Sequence, residues 1–259
     1  MKSVKLGKKP TVTLVILLFW LIALVTVLLL TLTKTAAAPS GARPVYCVER
    51  SDRKVALTFN AAWDDSTTDA VLSTLERYRV KATFFFVGTF AERYPETVVK
   101  IHNAGHEVGN HSMTHRDPTA ADSETLLREI DACSETLQSL TGVRPALYRA
   151  PSGAWNAETV ETAAACGMTA IQWSADSVDW KDPSPAELER RVLEKTTPGG
   201  ILLFHLGKEN TAEALPGILD KLLADGYECV TVSELLLPGG SVDPEGVLRP
   251  APAGNAPNT

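Results

Sequence analysis

The stretch Val55-Ala56-Leu57-Thr58-Phe59-Asn60-Ala61-Ala62-Trp63-Asp64-Asp65 runs from an apolar segment straight into a polar cluster. A short apolar run of this kind predicts a strand buried on both faces, with the polar groups falling at its C-terminal end. The pattern recurs along the chain. Strands are expected over 55–60, 83–87, 107–110, 147–150, 169–173, 201–205 and 228–232. Between them, apolar residues at helical spacing predict helices over 68–78, 96–103, 123–140, 157–166, 186–195 and 212–224. Gly105, Gly142, Gly167 and Gly226 serve as C-terminal stops, and Asp122 or Ser123 caps the longest helix. Strand–helix alternation of this length implies an α/β fold on a parallel sheet, either doubly wound or closed into a barrel. No G-x-G-x-x-G follows the first strand and no P-loop motif occurs, which argues against dinucleotide and nucleoside-triphosphate sites.

The chain has 259 residues, is 44% hydrophobic and carries a net charge of -6, enough to bury one substantial core. Lys2, Lys5, Lys8 and Lys9 lie at the N-terminus, so the remainder is more acidic still and is a poor match for a phosphate backbone; no nucleic acid partner is expected. Val12 to Leu32 is uncharged and about the ~20 residues a membrane-spanning helix needs. The resulting organisation is a basic cytoplasmic segment over 1–11, a single-pass transmembrane anchor over 12–33, a linker over 34–45, one domain over 46–237 outside the cytoplasm, and a disordered tail over 238–259. That tail carries five prolines and four glycines. The alternative for the N-terminus is a signal peptide cleaved near Ala38, because Ala36-Ala37-Ala38 offers small residues. Cys47, Cys133, Cys166 and Cys229 form no C-x-x-C pair, so neither a zinc knuckle nor a redox motif is expected.

The polar outliers cluster at predicted C-terminal strand ends: Asn60, Asp64 and Asp65; His111 and His115; Arg149; Asp176 and Asp179; His205. In parallel α/β folds that edge is where ligands and catalytic groups gather. His111 and His115, four residues apart, have a metal-ligand spacing, and Asp64 or Asp65 from another loop would complete a two-His-one-carboxylate set. His205 suits a general acid if Asp179 or Asp176 orients its ring. Arg149 at the end of a buried strand suits the organisation of a polar site. His102 and His106 read as structural.

The segments Thr58–Asp65, His111–His115, Arg149–Gly153, Asp176–Trp180 and Leu203–His205 resemble, in order and spacing, the five motifs of the polysaccharide deacetylase (NodB-homology) domain, carbohydrate esterase family four. The first motif, with a Trp followed by acidic residues, is similar to that of the sporulation-associated branch. The resemblance implies an irregular (β/α) barrel with about seven parallel strands. It implies a divalent metal, zinc with cobalt or nickel as alternatives, held by Asp65, His111 and His115. It assigns His205 as the acid tuned by Asp179, Arg149 as the residue orienting the base, Trp180 and Leu203 as the lining of an acetyl pocket, and the backbone N–H of Ser152 as the oxyanion donor. The implied function is a metal-dependent N-deacetylase of cell-wall glycan, acting on N-acetyl sugars of peptidoglycan or a chitin-like polymer. Two departures stand out. Asn60 occupies the place of the catalytic base, and an amide is neither a base nor an anion for Arg149. Ala61 occupies the usual metal aspartate, so the carboxylate has to come from Asp64 or Asp65. The alternative is therefore a catalytically impaired pseudoenzyme serving as a glycan-binding or scaffolding module.

Overall fold

The computed structural model describes residues 42–251. Its elements are β1 (Cys47–Val48), β2 (Lys54–Ala61), α1 (Thr68–Tyr78), β3 (Thr83–Phe86), α2 (Gly88–Arg93), α3 (Pro95–Asn103), β4 (Glu107–Asn110), α4 (Ser123–Thr141), β5 (Leu147–Tyr148) and α5 (Ala157–Ala165). There follow β6 (Thr169–Ala170), β7 (Ala175–Asp176), α6 (Pro185–Lys195), β8 (Ile201–His205), α7 (Glu209–Ala224), β9 (Glu228–Val230), α8 (Val232–Leu235), β10 (Ser241–Val242) and β11 (Val247–Arg249). All seven expected strands are present. The main sheet runs β6-β5-β4-β3-β2-β8-β7, with β9 pairing β2 at its N-terminal end, and every pairing in it is parallel. β6 and β7 are not paired, so the barrel is open on that side.

Strand β2 organises both faces through the period of two along a strand. Val55, Leu57, Phe59 and Ala61 enter the larger core, which α1, α6 and α7 cover with Val71, Leu75, Leu188, Val192, Leu215 and Ile218. There Phe59 stacks on Phe84 at 4.9 Å and on Phe204 at 5.4 Å, tying the three central strands together. Ala56 joins a second cluster with Phe85, Leu147, Ile171 and Ile201. Thr58 and Asn60, in step with Ala56, meet Arg149.

The helix signals in the sequence have local causes in the structure. The Asp122 side chain accepts from the Thr125 N–H, and Asn156 and Thr159 form a reciprocal capping box on α5. Gly142 ends α4 at φ 76°, a conformation that favours glycine. Helix α2 was not anticipated; at six residues it is too short to show a helical period. The expected tail is ordered in its described part. Val247 and Leu248 pair in parallel with Cys47 and Val48, β10 adds antiparallel, and Leu248 joins the inner cluster. Asp243 accepts from the Glu245 and Val247 N–H groups, so the prolines and glycines there build a turn. Likewise the domain begins before residue 46: Val45 is buried and its N–H donates to the Ala170 carbonyl. The four cysteines are free thiols. No helix among the described residues is long and apolar enough to cross a membrane, and the apolar run of 12–32 lies outside them.

Gly109 lies opposite Phe85 in the β3–β4 register, and a Cβ there would fall 2.5 Å from the Phe85 ring. Phe85 in turn carries Arg149, whose guanidinium carbon is 4.1 Å from the ring centroid. Gly109→Ala is therefore expected to destabilise the domain by ~1–3 kcal/mol and to lower its thermal midpoint by several degrees. An unchanged melting curve would show that Phe85 has room to shift.

Candidate active site

At the carboxyl edge of the sheet lies a cleft of about 380 Å³ whose lining includes Asn60, Trp63, His111, His115, Ser152, Trp180, Leu203 and His205. Register brings the strand ends together: Asn60 lies opposite His205 across the β2–β8 pairing.

His111 is 1% exposed, and its Nδ1 lies 2.7 Å from the Arg149 carbonyl oxygen. A carbonyl only accepts, so Nδ1 carries the hydrogen and Nε2 presents a lone pair; Nε2 is buried and has no protein partner. The His115 ring lies 5.0 Å away. The connecting turn holds Ser112 and His115 at positive φ, 68° and 59°. Glu129 of α4 secures it by accepting from the Ser112 hydroxyl, the Thr114 N–H and the Thr114 hydroxyl, each at 2.8 Å. Burial, and then the charge of the other imidazole, pushes His111 well below its ordinary pKa. Burial, and then the charge of His205, lowers His115. Both rings are thus neutral near pH 7, the state a metal ligand needs.

The two imidazoles fit a divalent ion; the expected carboxylate does not join them. Asp65 Oδ2 accepts from the Thr97 hydroxyl at 2.7 Å, and its carbonyl receives the Thr68 N–H at the start of α1. Asp64 Oδ1 accepts from the Ser66 N–H and hydroxyl. Both aspartates are engaged in the turn that leads into α1, and neither lines the cleft. Among the described residues no group of three His, Cys, Asp or Glu side chains is arranged to hold a metal.

Arg149 is fully buried. Its Nη1 donates to the Thr58 hydroxyl at 2.9 Å and to Asn60 Oδ1 at 3.1 Å, and its Nη2 donates to the Gln172 carbonyl at 3.1 Å. The ring of Trp173 lies 5.5 Å from the guanidinium, in addition to that of Phe85. Nε has no partner. Burial lowers this guanidinium to about 9, which leaves it charged at neutral pH while every acceptor it meets is uncharged.

On the other side of the cleft, His205 Nδ1 is 2.6 Å from Asp179 Oδ1. Asp179 Oδ2 also accepts from the His205 N–H at 2.7 Å and the Thr211 hydroxyl at 2.6 Å. Burial pushes the Asp179 carboxyl up, but the hydrogen bond and charge of His205, with Thr211, outweigh it and hold the group below the usual range. Of the two candidates, Asp179 is the partner of His205. Asp176 lines the cleft and accepts from the Val178 N–H at 2.8 Å. Ser152 sits in the Pro151–Gly153 turn at φ 56°. Leu203 is buried, whereas Trp180 is 49% exposed and stands at the cleft mouth. Away from the site, His106 accepts from the Ala82 N–H, and burial, with Lys81 nearby, pushes it down to about 4.

Sequence reasoning placed Trp63 and Gly153 in motifs but gave neither them nor Trp173 a role in the cleft, which all three line. For Trp63 the available signal was a large aromatic placed just beyond a strand end among acids.

Since no anion is hydrogen-bonded to Arg149 and only Asp176 acts on it from further off, Asn60→Asp is expected to stabilise the fold at neutral pH by giving the guanidinium a direct counter-ion, with a rise on the order of 5 °C in the thermal midpoint. A fall in the midpoint would mean that burying the carboxylate outweighs the pairing.

A family model for polysaccharide deacetylases matches residues 48–171. The peptidoglycan-N-acetylglucosamine deacetylase of Bacillus cereus is 34% identical over 73% of this chain and 91% of its own length. Peptidoglycan-N-acetylglucosamine deacetylase PgdA of Listeria monocytogenes is 36% identical over 72% of this chain but only 39% of its own, and the match to Bacillus subtilis YlxY spans 60% of that protein. Among solved structures, that of BA3943, a CE4 family pseudoenzyme from Bacillus anthracis, superposes with a TM-score of 0.73 at 30% identity, covering 81% of this chain and 71% of that one. A mutant of BA3943 is described as having restored enzymatic activity. With its fold, its five motifs and these relatives in agreement, the chain belongs to the polysaccharide deacetylase family.

Proposed function

We propose that the chain acts on N-acetylated cell-wall glycan in this cleft, as a polysaccharide N-deacetylase whose proton-donating half is complete and whose hydrolysis is slowed by the amide at position 60. The His205–Asp179 pair carries this reading. A carboxylate with no solvent contact is costly unless fully paired, and this one is paired through three hydrogen bonds to an imidazole residue and its neighbour at the cleft wall. With Nδ1 turned to Asp179, His205 offers Nε2 to the cleft, where it protonates the departing sugar amine. Leu203 and Trp180 flank the acetyl methyl group, and the Ser152 main-chain N–H is the oxyanion donor. His111 and His115 would hold a divalent ion, zinc, cobalt or nickel, which when bound supplies Lewis acidity at the acetamide carbonyl. Asn60 stands where a base is needed, and the loss of a general base typically lowers the rate ~10²–10⁴-fold.

The Arg149–Asn60 hydrogen bond favours a second reading, a module that holds glycan without turning it over. Peptidoglycan and chitooligosaccharide deacetylases among the relatives support the glycan class, and BA3943 supports the second reading. The uncharged run of 12–32, with lysines before it, supports an anchor in the cell membrane and a site outside the cytoplasm.

Acetate release from acetylated peptidoglycan by the full-length chain, supplied with zinc or cobalt, tests the assignment. Slow release by the natural chain, a gain of ~10²–10⁴-fold with Asn60→Asp, and loss with His205→Ala are expected. Release by Asn60→Asp alone would establish the glycan-holding reading, and silence from both would end the N-deacetylase assignment. For location, the chain is expected to remain at full length in washed membranes; a soluble form beginning near Ala38 would show cleavage instead.

A further inference from the structure

The turn that carries Ser152 is braced by segments from the two ends of the described chain. Ser152 and Gly153 both lie at positive φ, 56° and 70°, and for serine that conformation costs free energy which the surroundings have to supply. Inside the turn the Gly153 N–H donates to the Ala150 carbonyl at 3.1 Å and the Ala154 N–H to the Pro151 carbonyl at 3.0 Å. Two contacts from outside hold it in place. Gln172 Nε2 donates to the Gly153 carbonyl at 3.1 Å, and the Trp155 indole N–H donates to the Tyr46 hydroxyl at 2.8 Å. Both lead back to one segment, because the Gln172 N–H itself donates to the Val45 carbonyl at 2.7 Å.

Tyr46 is fixed in turn by the segment that precedes and includes β11. Its N–H donates to the Gly246 carbonyl at 2.8 Å, and a Cβ on Gly246, which sits at φ 84°, would fall 2.4 Å from the Tyr46 ring. Asp243 shapes the turn around Gly246 by accepting from the Glu245 and Val247 N–H groups. An apolar pair would fill the space between Tyr46 and Trp155 equally well. A phenol oxygen facing an indole N–H adds direction, and the direction it fixes is that of the residue three places after Ser152. Resting on the deacetylase reading above, we infer that Tyr46 is a positioning residue: clamped by the Asp243–Gly246 turn, it holds Trp155 and so aims the Ser152 main-chain N–H at the oxygen that becomes negative when water adds to the acetamide carbonyl. A donor of this kind lowers the barrier only when it is already in place.

Acetate release from acetylated peptidoglycan and amide hydrogen exchange test this, both on the full-length chain in mild detergent supplied with zinc. In an Asn60→Asp background, Tyr46→Phe is expected to lower kcat about tenfold and to leave KM within about twofold. Where Trp155→Phe is already present, adding Tyr46→Phe should cost less than about twofold, the signature of two side chains acting through one contact. In the natural chain, Tyr46→Phe should speed exchange of the Gly153 and Ala154 amides about tenfold and leave the β2 amides as they were. Acetate release by Asn60→Asp with kcat unmoved by Tyr46→Phe would overturn the inference alone and leave the deacetylase reading standing. Unchanged exchange would show that the turn does not depend on Tyr46. No acetate from Asn60→Asp would overturn the deacetylase reading and the oxyanion role with it.

Discussion

A buried guanidinium with only neutral groups as its hydrogen-bond acceptors is the constraint around which this molecule is arranged. Arg149 ties the inner face of β2, through Thr58 and Asn60, to the Gln172 carbonyl beyond β6. It rests on Phe85, which has room only because Gly109 lacks a side chain. Its own carbonyl fixes the hydrogen of His111 on Nδ1 and so decides which nitrogen faces the cleft. One residue thereby sets the spacing of the strand ends and the chemistry of a ring on a different loop. Neutral acceptors and aromatic faces offset only part of what an unpaired buried charge loses on leaving water.

The opposite wall is built on the reverse arrangement, a buried anion that accepts three hydrogen bonds. Asp179 binds the ring of His205 through Oδ1 and its backbone through Oδ2, so the carboxylate is fixed by the main chain and the imidazole cannot rotate without breaking its bond to Oδ1. Thr211 adds a donor from α7, which couples the acid side to the helix layer. The two halves of the cleft therefore differ in kind: one holds a carboxylate hydrogen-bonded to an imidazole, the other a guanidinium next to an amide.

How much of this was legible in the sequence depended on whether direction along the chain was enough. The seven strands were, because apolar runs bounded by glycine and polar residues are read one residue at a time. Their shared polar edge followed, since parallel strands place their C-terminal ends together. β7 was missed at two residues, and the order over 238–251 was hidden by a composition that turns and disordered tails share. Asp65 shows the deeper limit. Its position is right for a ligand, but local hydrogen bonds to Thr97 and the start of α1 decide where its carboxylate points, and spacing carries no such information. The choice of Asp179 over Asp176 for His205 was likewise a matter of side-chain direction.

Asn60 also has a meaning in terms of inheritance. Asparagine and aspartate codons differ by a transition at the first base, so the amide and the carboxylate at this position are adjacent in mutational space. The pocket around it is kept by Arg149 through a contact that either side chain satisfies. A lineage carrying this chain can therefore drift between the two forms without rebuilding the cleft, and selection on folding alone would tend to pull it toward the carboxylate. Persistence of the amide across descendants would then be a sign of selection for what the amide does, since the fold has no need of it.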